Sequence, residues 1–267
     1  MRDTILLLGS QRSWQSVTMH ILESHGVSLR VPSRLDPTGF LRGLHELHSL
    51  VVLNKLVYKH LFGSHEDGEA IPYREASRRI LHSTGKGYAT AENEYPNELL
   101  DYGCDLIRSC ADLNVSGSVV ALKYPAMVLC WDFWRQVFEW LERLPRFVLG
   151  ISVRNPYEVA LSYIVKSCVG FNHFTDVFGL LNGVYRSQLA VIEEYRHWNG
   201  FTVLPVRASS VFYRNDVERL VSTAGIPFNA DVFNVHFQAK RTHDSGAQAP
   251  KPVFASYARL MEACGTL

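Results

Sequence analysis

Apolar positions arrive first as a block. Ile5 to Leu8 is a continuous hydrophobic run, which suits a strand buried on both faces of a parallel sheet. Gly9 then permits a sharp turn, and residues 10–16 are small or polar with one cation, Arg12. From Trp14 onward Val17, Ile21 and Leu22 recur at helical spacing, so a helix is predicted to pack back on the sheet. Residues 27–31 read as a second strand closed by Pro32, and residues 33–40 as a loop with Asp-Pro and Thr-Gly turn signals. A long helix is predicted over 41–62, with Leu44, Leu47, Val51 and Leu61 on one side and His45, His48, Lys55 and Lys59 around it. Residues 63–68 are polar. Helices over 73–82 and 94–113 follow, separated by Gly85, Lys86 and Gly87.

The second half alternates more regularly. Strands are predicted over 118–123, 146–153 and 201–206, and helices over 128–144, 156–168, 174–198 and 215–224. Such alternation makes the fold class α/β, a single domain over 1–267 with a central parallel sheet flanked by helices. Ligands of these sheets lie beyond the carboxyl ends of the strands, where Arg12, Lys123 and Arg154 all emerge. A strand, a tight loop and a helix N-terminus form a natural anion site, to which Arg12, Ser13 and Ser16 can add donors. The alternative is an ordinary strand-to-helix turn with a surface arginine.

Composition narrows the picture without redirecting it. The formal net charge is +1, so no global field points to nucleic acid or membrane, and anion affinity must come from local clusters. The five cysteines are odd in number and scattered, with no CxxC, and read as the reduced thiols of a cytoplasmic protein. The strand begins almost at residue 1, which leaves no room for a signal peptide, and no apolar run reaches the roughly 18 residues a membrane span needs. A soluble, cytoplasmic protein is expected, with neither nucleic acid nor membrane as partner.

Three segments resemble sulfotransferases that use PAPS (3′-phosphoadenosine 5′-phosphosulfate). GSQRSWQSV (residues 9–17) is similar to their 5′-phosphosulfate loop, usually written RSGTS: Arg12, Ser13 and Ser16 match, while Trp14 and Gln15 replace glycine and threonine. ALKYPAM (residues 121–127) resembles the strand ending in Lys-x-Pro of bacterial and carbohydrate members. LGISVRNPYEVALSYI (residues 149–164) matches best, with Arg-x-Pro and then a serine eight residues after the arginine. The likeness covers most of residues 4–225, in the family's order and spacing.

The resemblance implies a P-loop-like nucleotide-binding fold and a cofactor site of Arg12, Ser13, Trp14, Gln15, Ser16 and Val17 at the 5′ end, Gln15 and Val17 acting through backbone N–H groups. It implies Arg154 and Ser162 at the 3′-phosphate, and Lys240 and Arg241 in a flexible tail loop (237–252) that closes over it, the alternative for these two being a solvated charge pair. Sulfuryl transfer, like phosphoryl transfer, rests on positioning and cations. Arg12 would neutralise charge growing on the leaving phosphate, and Lys123 would touch the sulfuryl group or the bridging oxygen. No metal is then expected, because these cations supply the charge that Mg²⁺ supplies in kinases. Arg154 has an alternative role, an i,i+4 ion pair with Glu158, and for Lys123 the alternative is a solvated strand end. Trp14 poses its own question. Either the loop keeps φ < 0 there, with the indole packed outward or near adenine, or the grip on the cofactor is weaker, or Trp14 simply packs on neighbouring helices.

The acceptor is expected to be a hydroxyl of a small molecule or sugar-like compound, held by a helical insertion over 35–115. Many bacterial members carry Asn-Pro-x-Gly-x-x-Glu as the source of the base, but here Asp36-Pro37-Thr38-Gly39-Phe40-Leu41-Arg42 lacks the glutamate. His48, then Glu46, then His45 are the replacements considered. Two other readings stand beside the enzyme. One is a catalytically degenerate member that binds a nucleotide or partner. The other is a P-loop kinase, which the absence of Gly-Lys-[Ser/Thr] in the first loop argues against.

Overall fold

The computed structural model describes residues 3–31, 47–63, 93–141, 146–165, 174–209, 211–237 and 251–266. Four strands, β1 (Thr4–Gly9), β2 (Val120–Lys123), β3 (Phe147–Val153) and β4 (Phe201–Arg207), form one sheet in the order β2-β1-β3-β4, every pair parallel. The helices in chain order are α1 (Gln15–Ser24), α2 (His48–Phe62), α3 (Asn97–Val115), α4 (Trp131–Trp140), α5 (Pro156–Val165), α6 (Phe174–Tyr195), α7 (Tyr213–Thr223), α8 (Ala230–His236) and α9 (Lys251–Gly265). This is the α/β architecture expected from the alternating pattern.

Strand periodicity sorts the run Ile5 to Leu8 onto two faces. Ile5 and Leu7 join Val148, Leu204 and Val206 in a core closed by α1, α7 and α8. Leu6 and Leu8 join Val120, Leu122, Leu149 and Ile151 in a larger core with α2 to α6 and α9. Both faces are covered, so the strands are hydrophobic throughout rather than alternating.

The chain runs from β1 outward to β2, then crosses to β3 and β4 on the other side. The order therefore reverses between β1 and β3, and the crevice beyond their carboxyl ends is the position such folds give to ligands.

Several expectations are corrected. Residues 27–31 do not form a strand. Ser28 makes a single parallel bridge to Val120, with Ser28 N–H to Val119 O at 2.7 Å and Ala121 N–H to Ser28 O at 3.0 Å. The Ser28 hydroxyl then bonds Arg30 O at 3.1 Å, which turns the segment off the sheet edge. Of the helix predicted over 41–62, the part from His48 is observed as α2, preceded by Leu47 with an extended backbone (φ −74°, ψ 124°); residues 41–46 lie outside the described residues. His45 and Glu46 lie outside the described residues, and the helical face predicted for His45 with His48 does not extend back through Leu47.

The helix over 94–113 starts later, at Asn97, because Pro96 is extended. The helix over 128–144 opens as a 3₁₀ turn (Pro125–Cys130) and ends at Trp140, followed by extended Leu141. The predicted helix over 73–82 lies outside the described residues. Two helices were not anticipated, α8 and α9. The described cysteines Cys104, Cys110, Cys130 and Cys264 are buried thiols. Among the described residues no helix is long and apolar enough to cross a membrane.

Candidate functional site

The site begins where β1 ends. A Cβ on Gly9 would stand 2.6 Å from Ser152 O, so β1 and β3 approach too closely there for any side chain. The chain then turns through residues 10–14 with two non-glycine residues in the left-handed region, Arg12 at φ 66° and Trp14 at φ 64°. Each such residue costs on the order of 1 kcal/mol or more and persists only where its surroundings over-determine it.

Those surroundings are visible. The Ser13 hydroxyl donates to Ser10 O at 2.6 Å, and the Ser152 hydroxyl donates to Ser13 O at 2.6 Å. Arg154 Nη1 donates to Arg12 O at 3.0 Å. Trp14 O accepts from Thr18 N–H at 2.9 Å and from the Thr18 hydroxyl at 3.1 Å. The indole stands edge-on to Tyr213 (centroids 5.0 Å) and Phe237 (5.5 Å), with Arg154 Cζ 5.5 Å above it. Of the alternatives for Trp14, φ < 0 is excluded: an aromatic cage and the hydrogen bonds of the loop hold the left-handed turn where the family pattern has glycine.

Trp14 is the N-cap of α1 and supplies no side-chain acceptor to the first turn. Gln15 tucks its amide under the loop, donating to Leu7 O at 3.2 Å, so it faces the crevice with its backbone. Val17 packs against the smaller core. From the neighbouring strand end, Lys123 is 3% exposed and its Nζ donates to the Ser16 hydroxyl at 3.2 Å. The solvated-strand-end alternative for Lys123 is therefore excluded by its burial.

On the far side of the crevice, Asn155 Oδ1 accepts from Tyr157 N–H at 2.9 Å and Pro156 opens α5, a sound helix start. Arg154 therefore leaves β3 pointed at the loop. Its Nε bonds Glu158 Oε2 at 2.8 Å, so the i,i+4 ion pair forms, but Nη1 is spent on Arg12 O rather than on solvent. Ser162 is half-buried, two turns along α5. The Arg12 guanidinium has a buried Nε with no hydrogen-bond partner.

The structure thus brings Arg12, Ser13, Trp14, Gln15, Ser16, Lys123 and Arg154 to one edge. His48 is half-buried at the start of α2, which packs on the 3₁₀ turn just after Lys123. Glu46, Lys240 and Arg241 lie outside the described residues. Among the described residues there is no group of three or more His, Cys, Asp or Glu side chains able to hold a metal. Sequence reasoning missed the supports: Ser152, Tyr185 and Gln188. Their signal was a polar residue inside an otherwise apolar strand or helix face.

No protein-family model matches the chain, and no curated protein matches it in sequence. Solved structures do match. The chain is similar to the sulfotransferase domain of the olefin synthase of Synechococcus PCC 7002, with TM-score 0.54 and 15% identity over 99% of this chain and 96% of that one. It is similar also to the sulfotransferase domain from the curacin biosynthetic pathway, with TM-score 0.52 and 11% identity over 99% and 98%. The chain has the sulfotransferase-type fold.

Proposed function

We propose that this protein is a sulfotransferase that moves a sulfuryl group from PAPS to a hydroxyl of a small-molecule or sugar-like acceptor. The observation that carries the reading is a cluster of cations at the β1–β3 crevice: Arg12 with a buried, unpartnered Nε, Lys123 buried against Ser16, and Arg154. Lys123 is buried and Arg12 and Arg154 are half-buried beside a helix N-terminus, and Glu158 pairs with Arg154. An added anion would offset the cost of holding Arg12 and Lys123 there. The donor set suits a phosphosulfate, being all cations, hydroxyls and backbone N–H groups with no carboxylate from the loop.

PAPS when bound supplies the sulfuryl group and leaves as the 3′,5′-bisphosphate. Arg12, Ser16, Lys123 and the N–H groups of Gln15 and Val17 would hold the 5′ end, and Arg154 with the Ser162 hydroxyl the 3′-phosphate. Ser13 serves through the turn it closes, its hydroxyl being engaged by Ser10 O. Lys240 and Arg241 are assigned to closing over the 3′ side, and His48 or Glu46 to taking the acceptor's proton. Trp14 lies beside Arg154, where it can border the nucleotide.

The test is transfer from labelled PAPS to a panel of alcohol and sugar acceptors, with ATP as the competing donor and EDTA in parallel. Turnover with PAPS, unaffected by EDTA, is expected. Transfer from ATP that needs Mg²⁺ would refute it. Trp14 in the glycine position favours a second reading, a member that binds the nucleotide without turnover. Tight binding of the desulfated nucleotide with no transfer to any acceptor would select it.

A further inference from the structure

One face of α6 supports the whole crevice from beneath. Gln188 is fully buried, and its Nε2 donates to Ser152 O at 2.9 Å and to Leu8 O at 3.3 Å. One amide group therefore bridges the carbonyls of Leu8 and Ser152, each the next-to-last residue of its strand, β1 and β3. Three residues earlier, on the same helix face, the Tyr185 hydroxyl donates to Arg154 O at 2.8 Å. Ser152, whose carbonyl accepts from Gln188, fills with that oxygen the space a side chain on Gly9 would need, and its hydroxyl donates to Ser13 O.

The Gln188 Oε1 is buried without a hydrogen-bond partner. An aliphatic side chain of similar length would avoid that cost, so what the glutamine contributes is its pair of N–H donors. We propose that Gln188, acting through Ser152, is the positioning residue that fixes the left-handed turn of residues 10–14 and so sets the affinity for the donor without touching it. The chain of contacts runs from Gln188 to Ser152 O, through the Ser152 hydroxyl to Ser13 O, and across the loop to Arg12 O on Arg154. Tyr185 holds the Arg154 end of the same span. The effect on donor affinity rests on the proposed sulfotransferase reading; the effect on the loop does not.

Gln188→Met keeps length and removes both donors, and Ser152→Ala cuts the next link while keeping the fold's shape. Hydrogen exchange would be followed in the peptide covering residues 9–18, with α3 as internal control, alongside calorimetry with the 3′,5′-bisphosphate nucleotide. Both variants are expected to speed exchange in residues 9–18 by about tenfold without changing α3. Both should weaken the nucleotide by about tenfold or more and raise KM for the donor but not for the acceptor. A loss of thermal stability with unchanged loop exchange and unchanged nucleotide affinity would reduce Gln188 to a packing residue and overturn the proposal. If Gln188→Met does not fold, Ser152→Ala decides by the same criteria. If the wild-type protein binds no bisphosphate nucleotide, the donor reading fails, and the exchange data still decide whether Gln188 sets the loop.

Discussion

Asp132 offers the most quantitative test of the energetics. It is 1% exposed in the first turn of α4, accepting from the Tyr95 hydroxyl at 2.7 Å and from Asn93 Nδ2 at 3.2 Å, while its Oδ1 is buried without a partner. Burial pushes the carboxyl from its ordinary 3.8 up to about 6, against the opposing pull of the Tyr95 and Asn93 bonds. The native state then holds a proton that the unfolded chain releases earlier. The stabilising contribution is complete below pH 3.8 and is lost as the pH rises through about 6. At about 1.4 kcal/mol per pH unit, the full cost at pH 7.5 is about 3 kcal/mol.

Asp132→Asn imitates the protonated acid, so it should recover about 2–3 kcal/mol at pH 7.5 and nearly nothing at pH 3.5. For a chain of this size that is a rise in Tm of roughly 4–12 °C at pH 7.5. Urea unfolding of both proteins from pH 3.5 to 8 gives the difference curve, which should climb between pH 4 and 7. A difference that is flat with pH, or a variant less stable than wild type at pH 7.5, would refute the reasoning. The residue matters beyond stability because Asn93 and Tyr95 lead directly into α3, and the Gln136 amide also ties Asn93 O at 2.9 Å.

Three further outcomes are expected. Arg154→Ala should cost about 1.5–3 kcal/mol in affinity for the bisphosphate nucleotide, read by calorimetry, because a charge-assisted contact is lost; unchanged affinity would sink the 3′ assignment. His48→Ala should cut turnover by roughly 10²-fold with nucleotide affinity nearly intact, and wild-type turnover across pH 6 to 9 would move the base to Glu46 or another group. Trp14→Gly relieves a left-handed strain of about 1–2 kcal/mol but forfeits two aromatic contacts worth about 0.5–1.5 kcal/mol each and the Arg154 contact. A net destabilisation of about 1 kcal/mol by urea unfolding is expected, and a variant more stable than wild type would show that the cage does not hold the turn.

The sequence by itself determined the strands and most of the site's cations. The apolar runs around Leu6, Leu122, Leu149 and Leu204 are strands because only burial on both faces tolerates such continuity. Arg12, Lys123 and Arg154 converge because each ends or follows a parallel strand, which puts all three at one edge whatever the helices do. Asn229 was legible too: its side chain accepts from Asp231 and Val232 N–H as a standard helix cap, yet α8 was not predicted.

Tertiary structure decided what local pattern cannot encode. Residues 27–31 have strand composition but only one bridge, since pairing depends on how far the segment follows β2. Trp14 takes a backbone conformation that its own sterics disfavour, because Tyr213, Phe237 and Arg154, distant in sequence, surround it. Gln188 read as a helix residue among others until α6 was laid across the ends of β1 and β3. A long-range contact of that kind has no sequence period to announce it, and here such contacts set the shape of the loop.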